Sequence, residues 1–326
     1  MIISRTPLRI SFAGGGSDLA VYYRNGCGSV VSTAIDKYIY ITVNRKFDDL
    51  IRVSYSKTEM VKNVDEIEHN IIREALKLVG IETGIEVVYM GDIPLGSAGV
   101  GLGSSSSLAV GVLNALYAFK GQSVSAEKLA RGACRIEIDI LKQPIGKQDQ
   151  YIAAYGGLQH IRFNGNESVF VDPVICQHET KRQLNNRLML FYTGMTRVSS
   201  SILAEQEQNT DINRAYLDKI VELAGELRKD LARDDLSRFG EILHQGWLNK
   251  MKLASRITNE RINEYCDKAR RAGAVGGKIL GAGGGGFLLL YCEQENQNKV
   301  REALSDLKEA PFKFEPQGSK IIYVSD

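Results

Sequence analysis

No pair of cysteines stands in CxxC spacing, no run of Lys or Arg stands out, and no apolar stretch approaches the ~20 residues of a membrane span. Each absence closes off a class of protein. The five cysteines (Cys27, Cys134, Cys176, Cys266, Cys292) are odd in number and scattered, which argues for reduced thiols and against a disulfide frame or a cysteine zinc site. The four histidines are equally dispersed. Basic and acidic residues nearly cancel, 41 against 39, so charge supports neither a nucleic-acid nor a membrane surface, and the expected partner is a small molecule. The opening MIISRTPLRISFAGGG lacks the basic segment and apolar core of an export signal. A cytoplasmic protein is therefore expected, and the sequon at Asn166 to Ser168 is read as chance. There is no GxxxxGK[ST] stretch, no internal repeat and no regular βαβ alternation.

Glycine, by contrast, is present in clusters. Residues 94–107, PLGSAGVGLGSSSS, run straight into LAVGVLNALYAF, where Leu108, Val112, Ala115, Leu116 and Phe119 fall at helical spacing. A flexible linker has no reason to flow into a periodic apolar face. Gly99, Gly101 and Gly103 allow a tight turn and close anion approach, and the serines place hydroxyls beside the unpaired amides of a helix N-terminus, so the junction suits phosphate.

Around it, IISRTPLRISF, SVVSTAI, YIYITVNR, IRVSY and IEVVYM read as strands, interrupted by a helix over 65–79 with Asp65 as its N-cap. Helices are expected near 104–119 and 125–141, strands at GLQHIRF, ESVFVD and RLMLFYT, and mostly helix from 199 to 272. FLLLYC, a charged helix over 295–307 and a last strand KIIYV complete the order, which favours α+β in two domains. The boundary falls near 172–186, giving units 1–178 and 179–326.

Three clusters could share one site. In LRISFAGGGSD a strand ends at three glycines and delivers Ser17 and Asp18; Asp18 suits sugar hydroxyls, and suits a turn equally well. In the helix after the serine loop, Leu129, Ala133, Ile136 and Ile140 define a buried face, and Glu137 falls inside that sector while Asp139 falls outside. An inward carboxylate needs a cation or hydrogen-bond donors; Mg²⁺ is one candidate and an ion pair with Arg131 or Arg135 the other. Asp149, in PIGKQDQYIAAYGG, sits near Lys147 and can orient an attacking hydroxyl or cap the next helix. The third cluster, KILGAGGGGFLLLY, formally satisfies GxGxxG, but a strand rather than a helix follows, so it reads as a tight loop against a ligand or another loop.

The ordered triple PLRISFAGGGSD, GVGLGSSSS and KILGAGGGGF, with IEID and GKQDQ between, resembles the GHMP kinase superfamily over essentially the whole chain. The strings FAGGGSDL, GKQDQYIAAYGGLQHIRFN, TGMTRVSSSILAEQ and KILGAGGGGF look most like its D-glycero-D-manno-heptose 7-phosphate kinase branch, which phosphorylates an anomeric hydroxyl. The resemblance implies a ribosomal-protein-S5-like N-terminal domain on a ferredoxin-like C-terminal domain, with ATP and Mg²⁺ between them. By position, Gly99, Gly101, Leu102, Gly103, Ser104, Ser105 and Ser106 match the loop around the ATP phosphates, and Ser105 with Glu137 the metal position. GLGSSSS replaces the common GLGSSA, which leaves Ser104, Ser105 and Ser106 unranked as ligands. Asp149 matches the carboxylate facing the acceptor hydroxyl and Arg9 the cation beside it. Gly15, Gly16, Ser17 and Asp18 match the sugar-binding turn, and Gly283, Gly284 and Gly285 the loop closing over substrate. Lys147 and Arg197 are candidates for a distal substrate phosphate. A free-sugar kinase and a catalytically silent sugar sensor remain as rivals, and the oligomeric state, a homodimer included, stays open.

Overall fold

The computed structural model describes residues 1–93, 101–195 and 199–325. Gly99 and Arg197 lie outside this set. The strands are β1 (Ile2–Ala13), β2 (Cys27–Arg45), β3 (Ile51–Ser54), β4 (Thr58–Val61), β5 (Ile85–Gly91), β6 (Leu158–Asn164), β7 (Val169–Pro173), β8 (Leu188–Tyr192), β9 (Ala274–Ile279), β10 (Phe287–Cys292), β11 (Lys308–Glu309) and β12 (Lys320–Val324). The helices are α1 (Ala20–Tyr23), α2 (Asn70–Val79), α3 (Ser104–Phe119), α4 (Ala126–Cys134), α5 (Gln148–Tyr155), α6 (His178–Arg187), α7 (Ser199–Gln208), α8 (Arg214–Leu231), α9 (Phe239–Lys250), α10 (Glu260–Arg271) and α11 (Gln297–Ala303).

The first sheet is organised on β2. Its first half pairs with β6 and its second half with β5, while β1 runs antiparallel along the other edge. SVVSTAI and YIYITVNR, two separate runs in the sequence, are therefore one strand. Pro7 lies opposite Tyr38 and Leu8 opposite Ile35, so Asp36 and Lys37 bulge out of the ladder. Asp36 is held there by Lys313: the Asp36 amide donates to the Lys313 carbonyl at 2.9 Å, and the Lys313 amide donates to the Asp36 carboxylate at 2.7 Å. A second, four-stranded sheet runs β11-β8-β10-β9 among the described residues.

Some local expectations change. The helix expected from Asp65 starts instead at Asn70, after a 3-10 turn over Val64–Glu66. Asn63 caps that turn, and Asp65 is exposed and pairs with Lys77 at 2.5 Å. The helix expected over 125–141 has its Ser125 cap, but α4 ends at Cys134 and a π-turn spans Arg135–Ile140. The wider turn leaves Ile140 exposed, whereas Leu129, Ala133 and Ile136 are buried as expected.

The two halves are not separate bodies. β12, inside the second unit expected at 179–326, pairs with β1 in the first sheet. Leu223, Leu227, Phe239 and Ile242 from α8 and α9 join the core formed by β1 and β2, and the Phe12 and Phe239 rings meet edge to face at 5.2 Å. On the other face α3 lies across β1 and β2. No helix of the described residues is long and apolar enough to cross a membrane.

The crossing of α3 over β1 is made close by Gly111, whose carbonyl accepts from Ser4 Oγ at 2.8 Å. A methyl there would stand 2.7 Å from Thr6 Oγ1. Gly111→Val is expected to lower unfolding free energy by about 1–3 kcal/mol through overpacking. Urea unfolding of the ligand-free protein checks this, and an unchanged midpoint would show that the crossing has slack.

Candidate active site

Arg9 of β1, opposite Ala34 of β2, stands where three segments meet. Its Nε and Nη2 grip the two carboxylate oxygens of Asp149 at 2.7 and 2.6 Å, and its Nη1 donates to the Gly101 carbonyl at 2.6 Å. Its own amide donates to the Leu102 carbonyl at 3.0 Å. The loop is thus pinned to β1 by its backbone, while the Leu102 side chain is buried in the core. Gly103, in left-handed conformation, opens α3. The first helical bond runs from the Ser107 amide to Gly103, which leaves the amides of Ser104, Ser105 and Ser106 outside the ladder at the positive end of a 16-residue helix.

Glu137 reaches this helix start from the π-turn. It is fully buried; Ser105 Oγ donates to one carboxylate oxygen at 2.6 Å and Gln150 Nε2 to the other at 2.7 Å. Arg131 and Arg135 are both exposed, and among the described residues no cation pairs with Glu137. Burial pushes its pKa above the ordinary value, with hydrogen bonds from Ser105, Ser106 and Gln150 opposing and Asp149 adding. Asp18 is pushed up by burial and by Asp149, against the amides of Gln148 and Gly16. Those amides donate to it at 3.2 and 3.0 Å, and Gln148 Nε2 does so at 3.1 Å.

These groups line one cavity of about 350 Å³ between the two halves, together with Gly15, Gly16, Gly103, Ser104 and Ser106. The third glycine cluster closes it as a loop packed on another loop. A methyl at Gly101 would stand 2.4 Å from the Leu280 carbonyl oxygen, and one at Gly281 2.5 Å from Gly101 Cα, so the two backbones touch where side chains would forbid it. Gly281 and Ala282 line the cavity. Gly283, Gly284 and Gly285 instead pack on Ile257 and Met195, with the Gly284 amide donating to Ile257 at 2.6 Å.

Two other expected residues face elsewhere. Ser17 is buried in the turn, its hydroxyl donating to Gly14 and Ser29 carbonyls. Lys147 is turned away from Asp149, paired with Glu167 at 2.5 Å and lying over the Tyr23 ring. The cation that Asp149 holds is Arg9.

The family models of the GHMP kinase N-terminal and C-terminal domains match residues 69–157 and 227–310. The chain is a GHMP kinase. A D-glycero-alpha-D-manno-heptose 7-phosphate kinase of Campylobacter jejuni is 27% identical, with 93% of each chain covered. The L-fucokinase/L-fucose-1-P guanylyltransferase of Bacteroides fragilis is 26% identical over 94% of this chain and 36% of that longer protein. Among solved structures, a D-glycero-D-manno-heptose 1-phosphate kinase of Bacteroides thetaiotaomicron superposes with a TM-score of 0.82, at 25% identity and full coverage of both chains. The two-domain α+β arrangement is that of this kinase family, and the chain is an ATP-dependent phosphotransferase with an alcohol acceptor.

A magnesium nucleotide fits what the cavity offers. Glu137 is a buried carboxylate with a serine hydroxyl and no cation, the donor set Mg²⁺ shares with phosphate oxygens and water. Gln150 Oε1, buried without a partner, marks further polar capacity at the same spot. Among the residues that escaped the sequence reading are Gln148, Lys250 and Lys278, which line the cavity, and Gln150, which stands behind Glu137. Both glutamines stand in GKQDQ beside Asp149, and Lys278 directly precedes ILGAGGGG, so their places next to recognised motifs were the available signal.

Because the folded pKa of Glu137 is raised, its contribution to stability is present below the ordinary carboxylate range and lost as pH rises through the folded value. Glu137→Gln removes that loss, and rotation of the Gln150 amide would satisfy the new donor. The ligand-free variant should be more stable than the parent at neutral pH, with the gap closing below about pH 4. Thermal melts across pH check this; a variant less stable at neutral pH would contradict it.

Proposed function

We propose that this chain transfers the γ-phosphoryl of ATP to the anomeric (C1) hydroxyl of D-glycero-D-manno-heptose 7-phosphate. The product would be the 1,7-bisphosphate, a precursor of nucleotide-activated heptose for surface polysaccharide, made in the cytoplasm. At the coarser level the chain is an ATP-dependent sugar kinase of the GHMP family. The supporting observation is the convergence of Asp149, held by Arg9, with Asp18 and the Ser105–Glu137 pair in one cavity.

On this reading the amides of Ser104 to Ser106 receive the nucleotide phosphates, and Ser105 and Glu137 would hold Mg²⁺. The metal, when bound, neutralises charge on the phosphate oxygens. Of the three serines, Ser105 is favoured by its bond to Glu137. Asp18 accepts sugar hydroxyls, and Asp149 aligns the C1 hydroxyl and accepts its proton, so catalysis rests on positioning and charge neutralisation. Arg197 is kept as a cation for the 7-phosphate; Lys147 could serve there only by releasing Glu167. The nucleotide unit is assigned to 1–178 and the second unit to 179–326, with β12 returning to the first sheet.

ADP release against a panel of free sugars and sugar phosphates tests the acceptor. Preference for the heptose 7-phosphate is expected; preference for L-fucose or D-galactose would transfer the reading to a free-sugar kinase, and nucleotide binding without ADP release would favour a sensor. With the preferred acceptor, Asp149→Asn should reduce kcat by about 10²–10⁴-fold and leave ATP affinity nearly intact. Undiminished turnover would remove Asp149 from the mechanism.

A further inference from the structure

The proposed function leaves open which side chains meet the charge of the phosphoryl group in flight. Arg9 is already engaged: three of its five N–H donors go to Asp149 and Gly101, and its charge is matched by the Asp149 carboxylate. Two ammonium groups reach the same cavity from the second half of the chain. Lys278, at the end of β9, is 5% exposed and donates to the Ser11 and Phe12 carbonyls of β1 at 3.0 and 3.3 Å. An ammonium has three donors, so one remains for a ligand. Lys250, the last residue of α9, donates to the Gly281 carbonyl, and its Nζ lies 3.9 Å from where a methyl on Gly15 would stand. Gly281 abuts Gly101, so Lys250 sits on the seam between the third glycine cluster and the serine loop.

We propose that Lys250 and Lys278 are catalytic residues that bind the non-bridging oxygens of the transferring γ-phosphoryl. The idea rests on the kinase reading above. In the step they serve, the C1 hydroxyl oxygen forms a bond to the γ-phosphorus and its proton passes to Asp149. The bond from that phosphorus to the β,γ-bridging oxygen breaks, and ADP leaves with the electron pair. The surroundings of Lys278 fit such a partner. Burial pushes its pKa well below the ordinary lysine value, Lys250 and Arg9 push the same way, and no carboxylate opposes them among the described residues. A buried ammonium disfavoured by burial and by two neighbouring cations is relieved when an anion enters beside it. Ser11 Oγ, buried without a partner in the same wall, offers one more donor to that anion.

The test uses Lys250→Met, Lys278→Met and Lys278→Arg in the full chain, with ligand-free melts to establish folding. Steady-state kinetics are paired with the thermal upshift given by ADP and Mg²⁺, with and without aluminium fluoride as a mimic of the phosphoryl in flight. In the Met variants kcat should fall by about 100-fold or more, with KM for ATP and acceptor within about threefold of the parent. The extra upshift from fluoride should vanish while the ADP upshift stays, and Lys278→Arg should recover part of both. The proposal is overturned by kcat within about threefold of the parent, or by a loss carried in the acceptor KM with the fluoride shift retained. That second pattern would assign the lysines to the acceptor's own phosphate. Should Lys278→Met fail to fold, Lys250→Met and Lys278→Arg decide. A parent that phosphorylates no sugar defeats the functional reading instead, and the fluoride shift, which needs no turnover, still tests the lysines.

Discussion

The bidentate bond between Arg9 and Asp149 is the constraint on which the rest of the site depends. It joins residues 140 positions apart, and the third guanidinium nitrogen fixes the backbone of the loop at Gly101. Strand β1, the start of α3 and the start of α5 are thereby held in one arrangement by a single side chain, itself almost fully buried. Charge-assisted bonds in a planar fork are geometrically demanding, which is why Lys would not substitute for Arg here without loosening all three segments. The carboxylate of Asp149 keeps one face to the cavity, so the bond that secures the fold also aims the group proposed to meet the acceptor.

The same economy governs the contact between halves. Phe12, three residues beyond Arg9 on β1, packs against Phe239 at the start of α9, and Lys250 ends that helix in the cavity. Lys278 crosses from β9 to the carbonyls of Ser11 and Phe12, and Gly281 touches Gly101. Apolar packing of the two halves and placement of their polar groups are therefore one event. A change that separated the core at Phe12 would also move the lysines away from the serine loop.

Much of this was legible in the chain. Periodicity placed α3 and its buried face, the β-branched runs located most strands, and wheel geometry turned Glu137 inward while leaving Asp139 out, all local properties. The helix over 125–141 was right in burial at Glu137 and wrong at Ile140, because a 3.6-residue wheel cannot register a π-turn. The fusion of two short runs into β2 was hidden because Asp36 and Lys37 look like a break, and only their docking on Lys313 makes them a bulge. Lys147 was the natural partner for Asp149 by proximity in sequence, yet Glu167 claims it from a distant turn. Lys278 was marked only by its place before ILGAGGGG, and Lys250 by nothing. A lone lysine in a helix carries no signal until the fold shows what surrounds it.

The cavity holds Arg9, Lys250 and Lys278 against Asp18, Glu137 and Asp149, three charges of each sign. Left to pair freely, they would cancel and leave nothing for a ligand. Arg9 and Asp149 do pair with each other. Glu137 is satisfied by a hydroxyl and an amide, Asp18 by amides, and Lys278 by two carbonyls, all neutral dipoles fixed by the backbone or by packing. Neutral partners make burial of each charge tolerable without spending the charge itself. The outcome is a pocket with equal numbers of acidic and basic side chains, several of them held by fixed neutral dipoles, a field already set before any phosphate arrives.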